Sequence, residues 1–252
     1  PADAVYATAE TLNALTRAAA LVAYDMPGGK VTINDLGLEH GGPIEHHGSH
    51  QAGRDVDVLF YLLDEAGEPM PGVGAPLDPE GRGTDFADLA DPTDDVQVRI
   101  DLPRSWRYVA ALIEDPDAHL QRIFLAEHLR TLLLAEAQRQ GAAEATVARF
   151  ADETCQPSYP HDDHFHFRFF CSAEDIPRGC RDSRPLYDWR REQLAEADVR
   201  PRLSAGRGRR AEVTTARQAR RRAGRVAPEV RAFLQRRRAW MTQPHPHRPH
   251  CR

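Results

Sequence analysis

His164-Phe165-His166-Phe167-Arg168-Phe169 alternates polar and aromatic side chains with a period of two, the spacing of a strand with one face buried. Both imidazoles then project from one face while the phenylalanines pack behind. The run opens at His161-Asp162-Asp163, so a cluster of ionisable groups enters the strand. Asp55-Val56-Asp57-Val58-Leu59-Phe60-Tyr61 reads as a second strand, with carboxylates at its start and apolar residues at its end. A neighbouring strand of this kind can bring Asp57 to the face that carries His166.

Upstream of the second strand lies His47-Gly48-Ser49-His50-Gln51-Ala52-Gly53-Arg54. The seven-residue step from His50 to Asp57 suits no single regular face, which places His50 in the Gly-rich loop leading in. His50, Asp57 and His166 supply two imidazoles and a carboxylate. A catalytic zinc takes three such ligands and keeps its fourth position open. Twelve histidines in 252 residues make chance matches to any one spacing a real risk. Both runs have strand context, and this favours a metal site over histidines packed in a core.

The wording of these runs resembles a known family. Gly48-Ser-His-Gln-Ala-Gly-Arg-Asp-Val-Asp57 and Pro160-His-Asp-Asp-His-Phe-His-Phe-Arg168 are similar to the motifs of the penicillin-insensitive murein endopeptidases, zinc enzymes of the LAS metallopeptidase group. The likeness takes in Gly41-Gly42-Pro43, Asp101-Leu-Pro-Arg-Ser-Trp106, Ile123-Phe-Leu125 and Cys171, and runs from about Thr11 to Cys180. It implies one zinc held by His50, Asp57 and His166, His164 as catalytic base, and His47 and His161 lining the site. It also implies peptidoglycan as the partner, with hydrolysis of D-alanyl to meso-diaminopimelyl cross-links. In the related D-Ala-D-Ala dipeptidases a Glu stands three residues before the last ligand, and here that place holds Asp163, one methylene shorter. His164 is therefore preferred as the base. A D,D-carboxypeptidase or D-Ala-D-Ala dipeptidase remains the second enzyme reading, and an inactive zinc-containing wall-binding module the third.

The chemistry expected is metal-assisted amide hydrolysis. His164 takes the proton from a water and passes it to the leaving amine. His161 either donates to the developing oxyanion or orients a ligand. His47 is read as structural, Asp55 as a hydrogen-bonded acid behind the ligands, and Asp162 and Asp163 as solvated or orienting. His40 and His46 carry no assignment.

Around the motifs the pattern mixes helix and short strand. Glu10 to Tyr24 places Leu12, Leu15, Ala19 and Val22 on one stripe, and Pro27-Gly28-Gly29 ends it before a strand at Val31-Thr32-Ile33. Glu65 to Gly83 is Gly- and Pro-rich and reads as a long surface loop. Trp106, Val109, Ala110 and Ile113 mark a helix; a strand follows near Arg122 to Ala126, then helices at His128 to Gln140 and Ala142 to Phe150. The sum is an α+β fold, a small antiparallel sheet carrying the zinc site, flanked by helices with long surface loops.

The net charge of −5 conceals a split. From Arg181 to Arg252 there are 20 Arg against 7 acidic residues, a balance of +13 that leaves −18 for residues 1–180. Lys30 is the only lysine. The composition therefore divides the chain into a zinc peptidase domain, 1–180, and an Arg-rich extension, 181–252, expected to be partly disordered. Arg200 to Arg225 is Arg, Ala and Gly rich, and Pro244 to His250 is low complexity. No motif residue lies in the extension, so its removal after about Arg200 is expected to spare hydrolysis of small muropeptides. Its expected use is electrostatic contact with anionic envelope polymers; nucleic acid is not expected, since no aromatic interleaving suggests base stacking.

Four cysteines allow three full pairings. Cys171 and Cys180 flank a short loop that is easily closed, and a bridge there points to an oxidising compartment, periplasmic or secreted. Cys155 and Cys251 have no assignable partner from sequence. No apolar run approaches a transmembrane span and no basic, apolar leader stands at Pro1, so a soluble mature protein or fragment is expected, with a removed signal peptide compatible.

Overall fold

In a computed structural model that describes residues 3–45, 47–157, 161–204, 216–241 and 251, the Thr8 hydroxyl caps helix α1 (Ala9–Asp25), accepting from the Thr11 amide at 3.4 Å. The buried stripe of α1 is Thr11, Ala14, Leu15, Ala18 and Val22, so Leu12 lies one position off the inward face. The chain continues through β1 (Thr32–Ile33) and β2 (Asp55–Leu59), then β3 (Leu62–Leu63), β4 (Pro69–Met70), β5 (Arg82–Thr84) and β6 (Gln97–Ile100). Helix α2 (Leu102–Glu114), β7 (Leu120–Phe124), α3 (Glu127–Arg139), α4 (Glu144–Glu153), β8 (Thr154–Cys155) and β9 (His164–Phe169) follow. Beyond them are α5 (Asp188–Glu196), α6 (Ala216–Ala223) and α7 (Pro228–Met241).

Two sheets result. The larger has the order β1-β2-β9-β7-β8, antiparallel except for the parallel β7–β8 pair, and the smaller has the order β4-β3-β6-β5. This is the α+β arrangement expected. The stretch 65–83 departs from a plain loop by contributing β4 and the start of β5. Strands of two or three residues are too short for alternation to show in sequence.

One face of the larger sheet makes the core. Val56, Val58, Phe165, Phe167 and Ile123 are fully buried, and Phe167 meets Tyr108 of α2 at 6.0 Å between rings. Trp106 packs edge-on against Phe150 of α4 at 5.3 Å. Because side chains alternate, burying these residues forces Asp55, Asp57, His164, His166 and Arg168 to the opposite face.

The expected domain boundary at Cys180 is not a break in packing. Gln121 Nε2 donates to the carbonyls of Ser183 and Pro185 at 2.7 and 3.2 Å, and Arg54 Nη2 to that of Arg181 at 2.9 Å. Arg190 is almost wholly buried and donates to the Cys171 carbonyl at 2.5 Å. Composition alone does not show these contacts, because an Arg can bury its stem and satisfy its guanidinium on carbonyls. Cys171 is bonded to Cys180, and Cys155 to Cys251. The low-complexity run Pro244 to His250 and residues 205–215 of the Arg-rich stretch lie outside the described residues. Among the described residues no helix is long and apolar enough to cross a membrane.

Glu153, at the end of α4, is a buried acid that Arg149 only partly satisfies. Its side chain is 1% exposed, Oε1 accepts from Arg149 at 2.9 Å, and Oε2 has no partner. Burial pushes its pKa up to about 7, against the opposing pull of Arg149 and Trp189. Below about pH 4.5 the group is protonated folded or unfolded, so no penalty exists there. Between that pH and about 7 the unfolded chain ionises first, and the fold loses stability as pH rises. Glu153→Gln should therefore gain up to about 3 kcal/mol over the parent at pH 8 and little at pH 4.5. Denaturant midpoints at the two pH values check this; an equal gain at both would refute it.

Candidate active site

The register of β2 against β9 sets Asp57 directly opposite His166, Asp55 opposite Arg168 and Leu59 opposite His164. On the other side of β9, Phe124 of β7 pairs with His166, and the two rings meet edge-on at 4.8 Å. The strand face carrying these groups forms the floor of a cleft of about 490 Å³, walled by Asn34, Asp35, His47, Pro157 and His161. Its size suits a small-molecule or peptide site.

His50 reaches the floor from the preceding loop. Its backbone has φ +60°, a left-handed conformation that costs a non-glycine residue energy. The loop is locked from outside: the Gly42 amide donates to the Gln51 carbonyl at 2.9 Å, and a Cβ on Gly41 would stand 2.6 Å from that same oxygen. Glycine is required at 41 by both this approach and its φ of +68°. His50 Nδ1 donates to the Leu36 carbonyl at 2.7 Å, which fixes the tautomer and leaves Nε2 with its lone pair.

Three imidazole nitrogens surround one carboxylate oxygen. Asp57 Oδ1 lies 3.3 Å from His50 Nε2, 3.4 Å from His164 Nε2 and 3.4 Å from His166 Nδ1. Asp57 Oδ1 and His50 Nε2 are buried and make no hydrogen bond. Buried polar atoms are rarely left unsatisfied. Separations of about 3.3 Å are the edges of a tetrahedron whose centre is about 2.0–2.1 Å from each corner, the reach of a zinc ion. Independently of His166, the donor atoms of His47, His50 and Asp57 all lie within 4.8 Å of one another and could hold a metal ion. The donor chemistry therefore fits a divalent cation.

The groups behind this ring fix its orientation. His166 Nε2 donates to Asp55 Oδ1 at 2.9 Å, and Arg168 Nε donates to the same oxygen at 2.7 Å. His164 Nδ1 donates to Asp163 Oδ1 at 2.6 Å, turning Nε2 inward. His47 Nδ1 donates to the Glu45 carbonyl at 2.9 Å, while Nε2 lies 3.1 Å from Asp57 Oδ2 and 3.4 Å from Asp35 Oδ2. His161 Nε2 stands 3.4 Å from His166 Nδ1.

Charge pairing overcomes burial at each carboxylate. Burial raises the pKa of Asp57, but the imidazoles of His164, His47 and His50 around the carboxylate hold it well below the usual range. Burial likewise opposes ionisation of Asp55, and the Arg168 charge with the His166 hydrogen bond reverses the outcome. Burial depresses His164, yet Asp163 and Asp57 lift it to about 10. His47 is raised by Asp57 and the Glu45 carbonyl against burial, while burial prevails at His166 and lowers it.

The model of the penicillin-insensitive murein endopeptidase family matches residues 2–189. The chain belongs to that family. Its members are peptidases of murein, the peptidoglycan of the bacterial wall, and all the residues of this cleft fall inside the matched stretch. The match exceeds the Thr11 to Cys180 span read from sequence, consistent with the packing of residues beyond Cys180. No curated protein gives a significant match to the chain.

Among the expected site residues of this murein endopeptidase homologue, His47, His50, Asp55, Asp57, His161, Asp163, His164 and His166 come together. Asp162 does not: it is wholly buried, points out of the cleft and pairs with Arg237 of α7. A residue of the C-terminal extension thus contacts the turn that precedes β9. His40 is exposed, and His46 lies outside the described residues. Sequence reading missed Arg168, Asp35 and Phe124. Arg168 was legible, since it shares the period-two face of His164 and His166; Asp35 and Phe124 reach the cleft only through strand pairing.

Asp55→Asn should weaken the hold on His166, because a neutral amide replaces the carboxylate that accepts from Nε2 and pairs with Arg168. Metal affinity is expected to fall about 10–100-fold. Competition with a chelator of known affinity measures it, and an unchanged affinity would remove Asp55 from the site.

Proposed function

We propose that this chain is a zinc-dependent D,D-endopeptidase that hydrolyses D-alanyl to meso-diaminopimelyl cross-links in peptidoglycan, in the periplasm or outside the cell. The observation that carries the reading is Asp57 Oδ1, buried, without a hydrogen bond and ringed by three imidazole nitrogens. His50 Nε2, Asp57 Oδ1 and His166 Nδ1 are the ligands. His47 is a weaker candidate than His166: donating to both Glu45 and Asp57 makes it an imidazolium, which has no lone pair to give. Zinc fits this nitrogen and oxygen set and, when bound, supplies Lewis acidity to a carbonyl and lowers the pKa of a water to about 7.

The chain's own residues do the rest. Asp55, backed by Arg168, keeps His166 in one tautomer, and the Leu36 carbonyl does the same for His50. His164 is the base. Its Nδ1 is committed to Asp163, so only Nε2 can accept a proton from water and return it to the leaving amine. Sharing the charge of Asp57 with a cation would remove one of the two carboxylate pulls that hold the second proton on His164, which would free Nε2 to accept. His161, 3.4 Å from His166 and facing the cleft, is placed to donate to the oxyanion. Asp163 is committed to orienting His164, and this disfavours the dipeptidase pattern in which an acid at that place is the base. Exposed Arg217, Arg220, Arg221 and Arg222 on α6 support electrostatic contact with anionic wall polymer.

Mass spectrometry of fragments released from purified sacculi tests the reaction: cross-linked dimers should become monomers, and a chelator should stop this. His50→Ala, Asp57→Ala and His166→Ala should lose the metal by elemental analysis, while His47→Ala keeps it. Retention by His166→Ala with loss by His47→Ala would transfer the third ligand to His47. His164→Ala should keep the metal and lower turnover of dimeric muropeptide about 10²–10⁴-fold. Near-parental turnover would remove it as the base.

A further inference from the structure

The family match ends at 189, yet one side chain from well beyond it reaches the turn that begins the second metal motif. Arg237 Nε donates to Asp162 Oδ2 at 2.8 Å and Nη2 to Oδ1 at 2.5 Å, a two-pronged pair on a carboxylate with no solvent exposure. Asp162 stands between His161 and Asp163, and Asp163 in turn holds His164. The backbone of the same turn is gripped twice: the Leu77 amide donates to the Asp162 carbonyl at 2.7 Å and the Ala126 amide to the His161 carbonyl at 2.9 Å.

Helix α7 is itself anchored along its length. Phe233 packs on Phe86 at 5.1 Å between rings, Trp240 meets His128 at 6.5 Å, and the Met241 carbonyl accepts from Gln156 Nε2 at 3.3 Å. Cys251 is bonded to Cys155 at the other end of the 155–161 segment, and its amide donates to the Gln156 carbonyl at 2.9 Å. The chain following β8 is thus held from outside at Cys155 and Gln156 and again at Asp162, immediately before the strand that carries His164 and His166.

We propose that Arg237 is a positioning residue for catalysis: through Asp162 it fixes the turn that presents His161 and His164 to the cleft, so the C-terminal extension completes the active site. This rests on the functional reading above only for its catalytic consequence. A buried carboxylate stripped of its partner must take up a proton, draw in water or leave its pocket, and each response removes the two-pronged hold on the turn between His161 and His164. Displacing a catalytic group by about 1 Å can cost about 100-fold in rate. Lysine offers a point charge where arginine offers a planar fork, so it restores the charge without the geometry.

The test uses the full-length, zinc-loaded protein and its Arg237→Ala, Arg237→Gln and Arg237→Lys variants, with cross-linked dimeric muropeptide as substrate. Arg237→Ala and Arg237→Gln should keep one zinc and a KM within about twofold while kcat falls about 100-fold, with Arg237→Lys intermediate. In parallel, amide hydrogen exchange should quicken at Leu77 and Ala126 and stay unchanged in α1 and α2, a pattern that general destabilisation would not give. If Arg237→Ala fails to fold, Arg237→Lys decides by the same readings. Parental kcat with parental exchange at Leu77 and Ala126, or exchange that rises uniformly across the domain, overturns the proposal. If the parent itself does not cleave the dimer, the functional reading fails, and the exchange pattern still decides whether Arg237 holds the turn.

Discussion

The antiparallel pairing of β2 with β9 is the constraint on which the rest of the molecule depends. Setting Asp57 opposite His166 places the Val56, Val58, Phe165 and Phe167 side chains together on the far face. A slip of one residue would send the phenylalanines to solvent and the acids and imidazoles into the core, at a cost no other contact could offset. Core burial and site geometry are therefore specified by one register. The apolar face gives that register its energy, and the polar face receives its order from it.

The polar face is a concentration of groups that burial alone would neutralise. Asp55 and Asp57 remain ionised because each accepts from imidazole, and Asp55 also from a guanidinium. Each imidazole is oriented by an acceptor outside the cluster: the Leu36 carbonyl for His50, Asp55 for His166, Asp163 for His164. What these pairings leave over is the buried Asp57 Oδ1 and the inward-turned His50 Nε2, neither with a hydrogen-bond partner, an arrangement that hydrogen bonding among the protein's own groups does not complete.

The same division between floor and frame recurs at the chain's end. The floor is strand, rigid and set by pairing. The frame is loop, held by cross-links whose partners are far apart in sequence: Arg54 with Asp182, Gln121 with Ser183, Arg237 with Asp162, and Cys155 with Cys251 at a separation of 96 residues. Long-range ties of this kind restrain loops that lack regular hydrogen bonding. They also make the Arg-rich extension part of the structure, since its helices α5 and α7 bring Arg190 and Arg237 to buried partners.

The sequence by itself determined what depends on local periodicity. The alternation through His164 to Phe169 and the acid-led apolar run from Asp55 announce two strands with opposite faces, and the helices over 9–25, 102–114 and 127–139 follow from helical apolar periodicity. The residues of the cleft floor, those proposed as ligands and base, were legible because they sit on those strands or in the short loop before them. Only the tertiary structure decided that Arg168 stands behind Asp55, that Asp35 reaches His47, that Asp162 turns away from the cleft, and that Cys155 pairs with Cys251. Each of these joins residues that no repeat or spacing relates, so its energy comes from contact across the fold and leaves no trace in local pattern. The contacts that cross Cys180 were hidden for the same reason: composition records charge, whereas packing depends on whether each guanidinium finds an acceptor.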